Sequence, residues 1–153
     1  MNSMRGRLSS ERGAELIEMA LILPLLLLIV VGISDFGFLF ARYEVLTNAA
    51  REGARIAVLP SYTTTDVQSR VCAYLSTGGV PTTNCTTGTG NPLIAVAPAT
   101  IPLPTPGATP VSATSVTLTY THNFMFIGPI IGLMGGSWTN AKVVTITAVM
   151  RNE

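Results

Sequence analysis

The sequence predicts an α+β fold in which a long N-terminal transmembrane helix extends into a small exported domain, with an antiparallel sheet packed on the helix. Three observations carry this. A single helical period runs from Gly13 to Leu59, through the apolar block Met19 to Ile33. Two later segments have the period of half-buried strands: Val116, Leu118, Tyr120, His122 and Phe124 alternate with Thr117, Thr119, Thr121 and Asn123, and Val144, Ile146, Ala148 and Met150 with Val143, Thr145, Thr147 and Val149. After Arg55 the only charged residues are Asp66, Arg70, Lys142, Arg151 and Glu153, and Thr, Ser, Asn and Gly carry the solubility of that part. With 153 residues the chain has room for one membrane element and one small domain.

Met1 to Arg12 is short and polar, with Arg5, Arg7 and Arg12 against Glu11. Excess Arg before an apolar segment places this end in the cytoplasm and the C-terminal part outside. A cleaved secretory signal would need a small-x-small site soon after the apolar core, and Ser34-Asp35-Phe36-Gly37-Phe38 offers none. Met19 to Ala41 holds one charge, Asp35, and spans roughly 34 Å as a helix, enough for a hydrocarbon core of about 30 Å. Pro24 removes a backbone donor inside the span and should bend or loosen it; Gly32 and Gly37 are further weak points.

Glu18 stands at the inner end of this block. A carboxylate deep in a bilayer costs on the order of 3 kcal/mol on insertion scales, and each Leu or Ile returns about 0.3–0.6 kcal/mol, so the Leu-rich helix still inserts. Glu15 and Glu18 have a plain reading as interfacial acids that complement the positive end of a helix. Beyond the span, Phe36, Leu39, Phe40, Tyr43, Leu46, Thr47, Ala50, Ala54, Ala57 and Val58 fall on one face, and Glu44, Asn48, Arg51, Glu52 and Arg55 on the other. The distal part of that apolar face is made of small residues, which lets a sheet or another helix approach its backbone closely. Pro60 ends the helix.

The segments are therefore a cytoplasmic leader at 1–13, a transmembrane helix and helical spine at 14–59, and an exported domain at 60–153. Thr65 to Leu75 reads as a second helix with Asp66 near its start and Val67, Val71, Tyr74 and Leu75 on one side; Gly78-Gly79 and Pro81 stop it. Thr82 to Pro92 is a loop, Asn84-Cys85-Thr86 matches a glycosylation sequon that is equally a turn, and Leu93 to Ala97 forms a short strand. Five prolines make 98–110 an extended Pro/Thr-rich connector outside any sheet interior. The core strands are Val116 to Phe124 and Val143 to Met150. Phe124 to Trp138 is apolar but interrupted by glycines and Pro129, too short for a second span, and reads as a long loop that covers the end of the core or serves as a contact surface.

Cys72 and Cys85 fit a single disulfide in an exported domain, with two buried free thiols as the alternative. Two thiols and the lone His122 do not make a four-ligand zinc site. A net charge of +1 with scattered bases gives no footprint for nucleic acid. No catalytic constellation, phosphate loop or metal-ligand cluster is present in the sequence, so neither a cofactor nor a small-molecule substrate is expected. His122 on an apolar strand face reads as a satisfied core or rim residue.

Gly13-Ala14-Glu15-Leu16-Ile17-Glu18 resembles the cleavage motif of type IV prepilins, in which a basic leader ends in Gly and a Glu stands at the fifth mature position. The longer string, from Arg12 through Pro24, Gly32 to Gly37 and Thr47 to Arg55, resembles the TadE family of pilin-like proteins and covers about a third of the chain. The closing Ala148-Val149-Met150-Arg151 is a weaker likeness. Met19 stands where that family usually has an aromatic, and Glu15 adds an acid at the second mature position.

The resemblance implies cleavage between Gly13 and Ala14 by a membrane prepilin peptidase, and an assembly role for Glu18. It implies service as a minor pilin-like subunit of a tight-adherence (Flp-type) pilus. Other pilins and the pilus assembly machinery would be the partners, and the location a single-pass position in a bacterial cytoplasmic membrane with possible incorporation into a surface pilus. The competing expectation is an uncleaved, membrane-anchored domain that binds a surface ligand or envelope partner.

Overall fold

The computed structural model describes residues 3–87, 90–104, 107–133, 135–136 and 141–152, with the backbone alone for 3–12, 87 and 133. It is an α+β chain in which a long N-terminal helix precedes a small three-stranded antiparallel sheet. Helix α1 runs Ser3–Ala57, α2 Thr64–Thr77 and the short α3 Ile127–Leu133; the strands are β1 Leu93–Ile101, β2 Val111–Asn123 and β3 Ala141–Arg151. The chain divides into two compact units, Phe38–Asn123 with Ala141–Glu153, and Met1–Gly37 with Phe124–Asn140.

In the first of these units the sheet has the order β1-β2-β3, with β2 central. Its register lines up the alternating positions read from sequence. Val116 faces Val96 and Ala148, Leu118 faces Ile94 and Ile146, and Tyr120 faces Val144. Val116, Leu118, Tyr120 and His122 are buried, while Thr117 and Thr147 share a 2.9 Å hydrogen bond on the exposed side. The alternation is therefore one face in and one face out, the sheet form of amphipathicity.

The helical side of this core comes from the distal part of α1 and from α2. Leu46, Ala49, Ala50, Gly53 and Ala54 of α1 are buried against Val67, Val71, Cys72 and Leu75 of α2 and against the inner sheet face. The buried stripe is rotated from the one predicted: Phe40 and Tyr43 stay exposed, and Ala49 and Gly53 take the centre. Size decides this. A Cβ on Gly53 would stand 2.6 Å from Val71 Cγ2 and 3.3 Å from Val116 Cγ1, so α2 and β2 sit at a separation that only the smallest side chains allow. Large aromatics on the same face would hold them apart.

Helix α2 starts on a capping box. Thr63 Oγ1 accepts from the Asp66 N–H at 3.3 Å and Asp66 Oδ2 accepts from the Thr63 N–H at 2.9 Å, which satisfies two otherwise orphaned donors. The Thr63 hydroxyl also donates to Asp66 Oδ2 at 2.6 Å, and this bond first, with the one from the Thr63 N–H second, holds the Asp66 carboxyl below the usual carboxylate range. Tyr74, expected on the packed side, is 40% exposed, and Cys72 is buried instead. Cys72 is joined to Cys85 in a disulfide that ties α2 to the turn Cys85–Thr87, and a closed loop of this length is worth roughly 3 kcal/mol in the chain-entropy model. On the outer side of α1, Glu52 pairs with Arg55 at 2.9 Å and Arg70 at 3.2 Å. Arg55 first and Arg70 second lower its carboxyl to about 2.

Three further expectations are corrected. Strand β1 does not stop at Ala97 but continues through Pro98 to Ile101, so the connector 98–110 begins inside the sheet. Pro98 is tolerated because β1 is an edge strand, where the missing N–H faces away from the ladder. The apolar loop 124–138 contains α3, and Trp138 lies outside the described residues. The helix also ends at Ala57, two residues short of Leu59, with Leu59 N–H bonded to Ile56 carbonyl in a closing turn.

The contact at Gly53 is open to test. Gly53→Leu should destabilise this unit by about 1–3 kcal/mol through overpacking, read as a fall in the thermal midpoint in detergent. Gly37→Ala, where an added Cβ meets nothing, is the control. An unchanged midpoint for Gly53→Leu would refute the close approach.

Candidate functional site

Gly13, Ala14 and Glu18 lie on the membrane-length part of α1, in the unit Met1–Gly37 with Phe124–Asn140. Leu, Ile, Val and Met here have no reason to leave the helix, and Pro24 is carried within it. Every large apolar side chain from Leu16 to Val30 is exposed around the whole circumference, from 41% at Leu28 to 73% at Leu21. A helix apolar on all sides and covered by none of its own chain needs an apolar medium. Among the described residues, α1 is the one helix long and apolar enough to cross a membrane, which makes it a candidate membrane anchor.

Gly13 and Ala14 lie within α1, and a Cβ built on Gly13 meets nothing within 4 Å. Packing within the chain therefore does not require glycine there. Glycine in a helix interior costs about 1 kcal/mol relative to Ala, so the residue weakens the helix locally without a packing return. Glu15 and Glu18 are exposed, with no ion pair among the described residues. Ala14 and Glu18 are thus exposed on the same stretch of helix as the half-buried Gly13.

Asp35 is the acid whose role the sequence did not disclose. It is 2% exposed. Its Oδ1 accepts from the Met125 N–H at 3.2 Å, and its Oδ2 accepts from the N–H groups of Phe126 at 3.0 Å and Ile127 at 2.9 Å. These are the donors at the start of α3, which local side chains leave without an acceptor, so an acid far away in sequence supplies the cap. Hydrogen bonds to an ionised acceptor are about twice as strong as neutral ones. Phe124 packs edge to face on Phe36, centroids 5.8 Å apart, and fixes the same junction. Ile127, Ile130 and Ile131 of α3 face Leu28, Ile29, Gly32, Ile33 and Phe36 across a cavity of about 290 Å3.

A second polar cluster lies within the sheet unit. Arg42 Nη1 donates to His122 Nδ1 at 2.9 Å and reaches Tyr120 Oη at 3.5 Å. A guanidinium has no acceptor, so Nδ1 must offer its lone pair and the imidazole carries its proton on Nε2. His122 is buried at 2% exposure and hydrogen-bonded by Arg42, in keeping with its reading as a satisfied core residue. The sequence singled out His122 but not Arg42. The signal available for Asp35 was its isolation: a single acid in an apolar block must find donors.

Residues 13–55 match the family model of TadE-like protein. No curated protein and no solved structure matches the chain. The TadE-like segment begins at Gly13 and contains Ala14, Glu18, Asp35, Arg42 and Gly53, so the anchor, its buried acid and the small-residue face all lie within it. Cys72 and Cys85 lie outside. A TadE-like segment points to the tight-adherence pilus system.

Replacing Asp35 by Ala should release the 125–127 amides while leaving the sheet unit folded. Hydrogen exchange at Met125, Phe126 and Ile127 should rise at least about tenfold, as expected for loss of roughly 1.5–3 kcal/mol of charge-assisted bonding. Unchanged exchange there would show that Asp35 does not hold α3.

Proposed function

We propose that this chain is a minor pilin-like (pseudopilin) subunit needed for assembly of a tight-adherence type IV pilus, cut between Gly13 and Ala14 by a prepilin peptidase. The observation that carries this is the TadE-like match, which starts at Gly13 itself. On this reading 1–13 is a cytoplasmic leader, 14–59 the membrane helix and spine, and 60–153 the exported domain. The subunit is held in the membrane by α1 before it enters the filament, and its partners are other pilins and the pilus machinery.

The local chemistry supports each step. A peptidase needs an extended substrate, and Gly13 lowers the cost of unwinding the helix at the scissile bond. Its surroundings are open, so a protease subsite can close over it. Cleavage leaves Ala14 with a free amine, one helical turn from Glu18. In an apolar bundle an ammonium and a carboxylate offset part of each other's desolvation, and either alone is strongly unfavourable. Glu18 then selects a neighbour whose N-terminus has been processed, which gives cleavage a direct effect on assembly. The disulfide suits a domain that matures in an oxidising compartment.

Two variants separate processing from assembly. Gly13→Leu should insert normally and keep its full mass by mass spectrometry of membrane extracts; a mature-sized product would sink the cleavage claim. Glu18→Ala should be cleaved and yet leave cells without pili by electron microscopy, and wild-type piliation would return Glu18 to an interfacial acid.

A further inference from the structure

We infer that the segment Phe124–Leu133, made of α3 and the residues that lead into it, is a second membrane-contact element: a wedge inserted in the outer leaflet beside the anchor helix and held at a set depth by Asp35. The inference rests on α1 being a membrane anchor and goes beyond it, because the wedge belongs to a part of the chain distant in sequence.

Position along α1 is the first reason. Asp35 is the next charged residue after Glu18 and lies roughly 26 Å further along the axis at about 1.5 Å per residue. With Glu18 near the inner boundary, Asp35 falls just within the outer boundary of a hydrocarbon core of about 30 Å. The isoleucines of α3 face α1 down to Leu28, roughly 10 Å deeper than Asp35. That is the depth to which interfacial helices bury their apolar faces, about 5–10 Å.

Chemistry is the second. Between His122 and Lys142 the sequence has no charged residue. Met125 is 64% and Phe126 42% exposed, so the segment presents large apolar side chains outward as well as toward α1. This surface continues the bare apolar surface of the span, and the cavity between the two has an apolar wall from both. A lipid acyl chain matches it in polarity.

Backbone satisfaction is the third reason. Irregular chain enters a bilayer only where its N–H groups have partners, since each unsatisfied one costs several kcal/mol in hydrocarbon. Here Met125, Phe126 and Ile127 donate to Asp35, Pro129 has no N–H, and Ile130 donates to the Phe126 carbonyl at 3.3 Å. In turn the three donors let a carboxylate remain in an apolar region. Acid and short helix each remove the other's cost of insertion.

The test uses the full-length protein in phosphatidylcholine vesicles containing dibrominated lipids. In a Trp138→Phe background, a single Trp is placed at Met125, Phe126 or Leu25. Trp at 125 or 126 should lose at least about half its fluorescence to bromines near the headgroup and less to bromines deep in the chain, and Trp at 25 should show the reverse order. Quenching at 25 with none at 125 and 126 would overturn the wedge and leave the anchor standing. Trp at 125 or 126 shielded from both bromolipid and acrylamide would mean cover by a second copy, and would also overturn it. Absence of quenching at all three positions would remove the anchor and the wedge together.

Discussion

The sheet unit depends on one close contact, that of α1 with α2 and β2 at Gly53. Three elements meet where the helix presents Ala49, Ala50, Gly53 and Ala54, and the branched side chains of Val67, Val71 and Val116 occupy the space that larger residues on α1 would fill. Packing at this separation gives short-range dispersion over a wide area without large side chains. It also explains how a small domain forms a core with few aromatic residues. The disulfide and the Thr63–Asp66 capping box then secure α2.

The same helix faces two solvents. Its first part offers Leu, Ile and Val on all sides, and its last part offers a narrow stripe of small residues opposite Glu52 and Arg55. Polar groups reveal the difference. Glu52 is at the surface and paired with two arginines, where each such pair is worth at most about 1 kcal/mol. Asp35, in the apolar part, has three backbone donors and almost no exposure. Glu18 has no such set among the described residues, and the proposed use for it is outside the chain, in a neighbouring subunit. Asp35 is thus satisfied by its own fold, and only Glu18 is left for the proposed partner.

Much of this was legible in the residues taken in order. The helical period of α1, the alternation of β2 and β3 and the punctuation after α2 are local patterns, each enforced by geometry within a few residues. Gly13, Ala14 and Glu18 were proposed as a processing motif on the same kind of signal, since such a motif is read as a linear string. The errors were of another kind. Pro98 reads as a breaker until β1 is known to be an edge strand. Phe40 and Tyr43 read as core until the separation at Gly53 is known.

By itself, then, the sequence determined the class of the chain, its membrane-length helix and its candidate processing bond, because hydrophobic periodicity and short motifs need no distant partner to be meaningful. Tertiary structure alone decided which face of α1 is buried, that Arg42 donates to His122, and that Asp35 caps a helix ninety positions later in the chain. Those outcomes depend on which groups meet across long loops, and hydrogen bonds and steric contacts act only over a few ångströms. No spacing in the sequence encodes them.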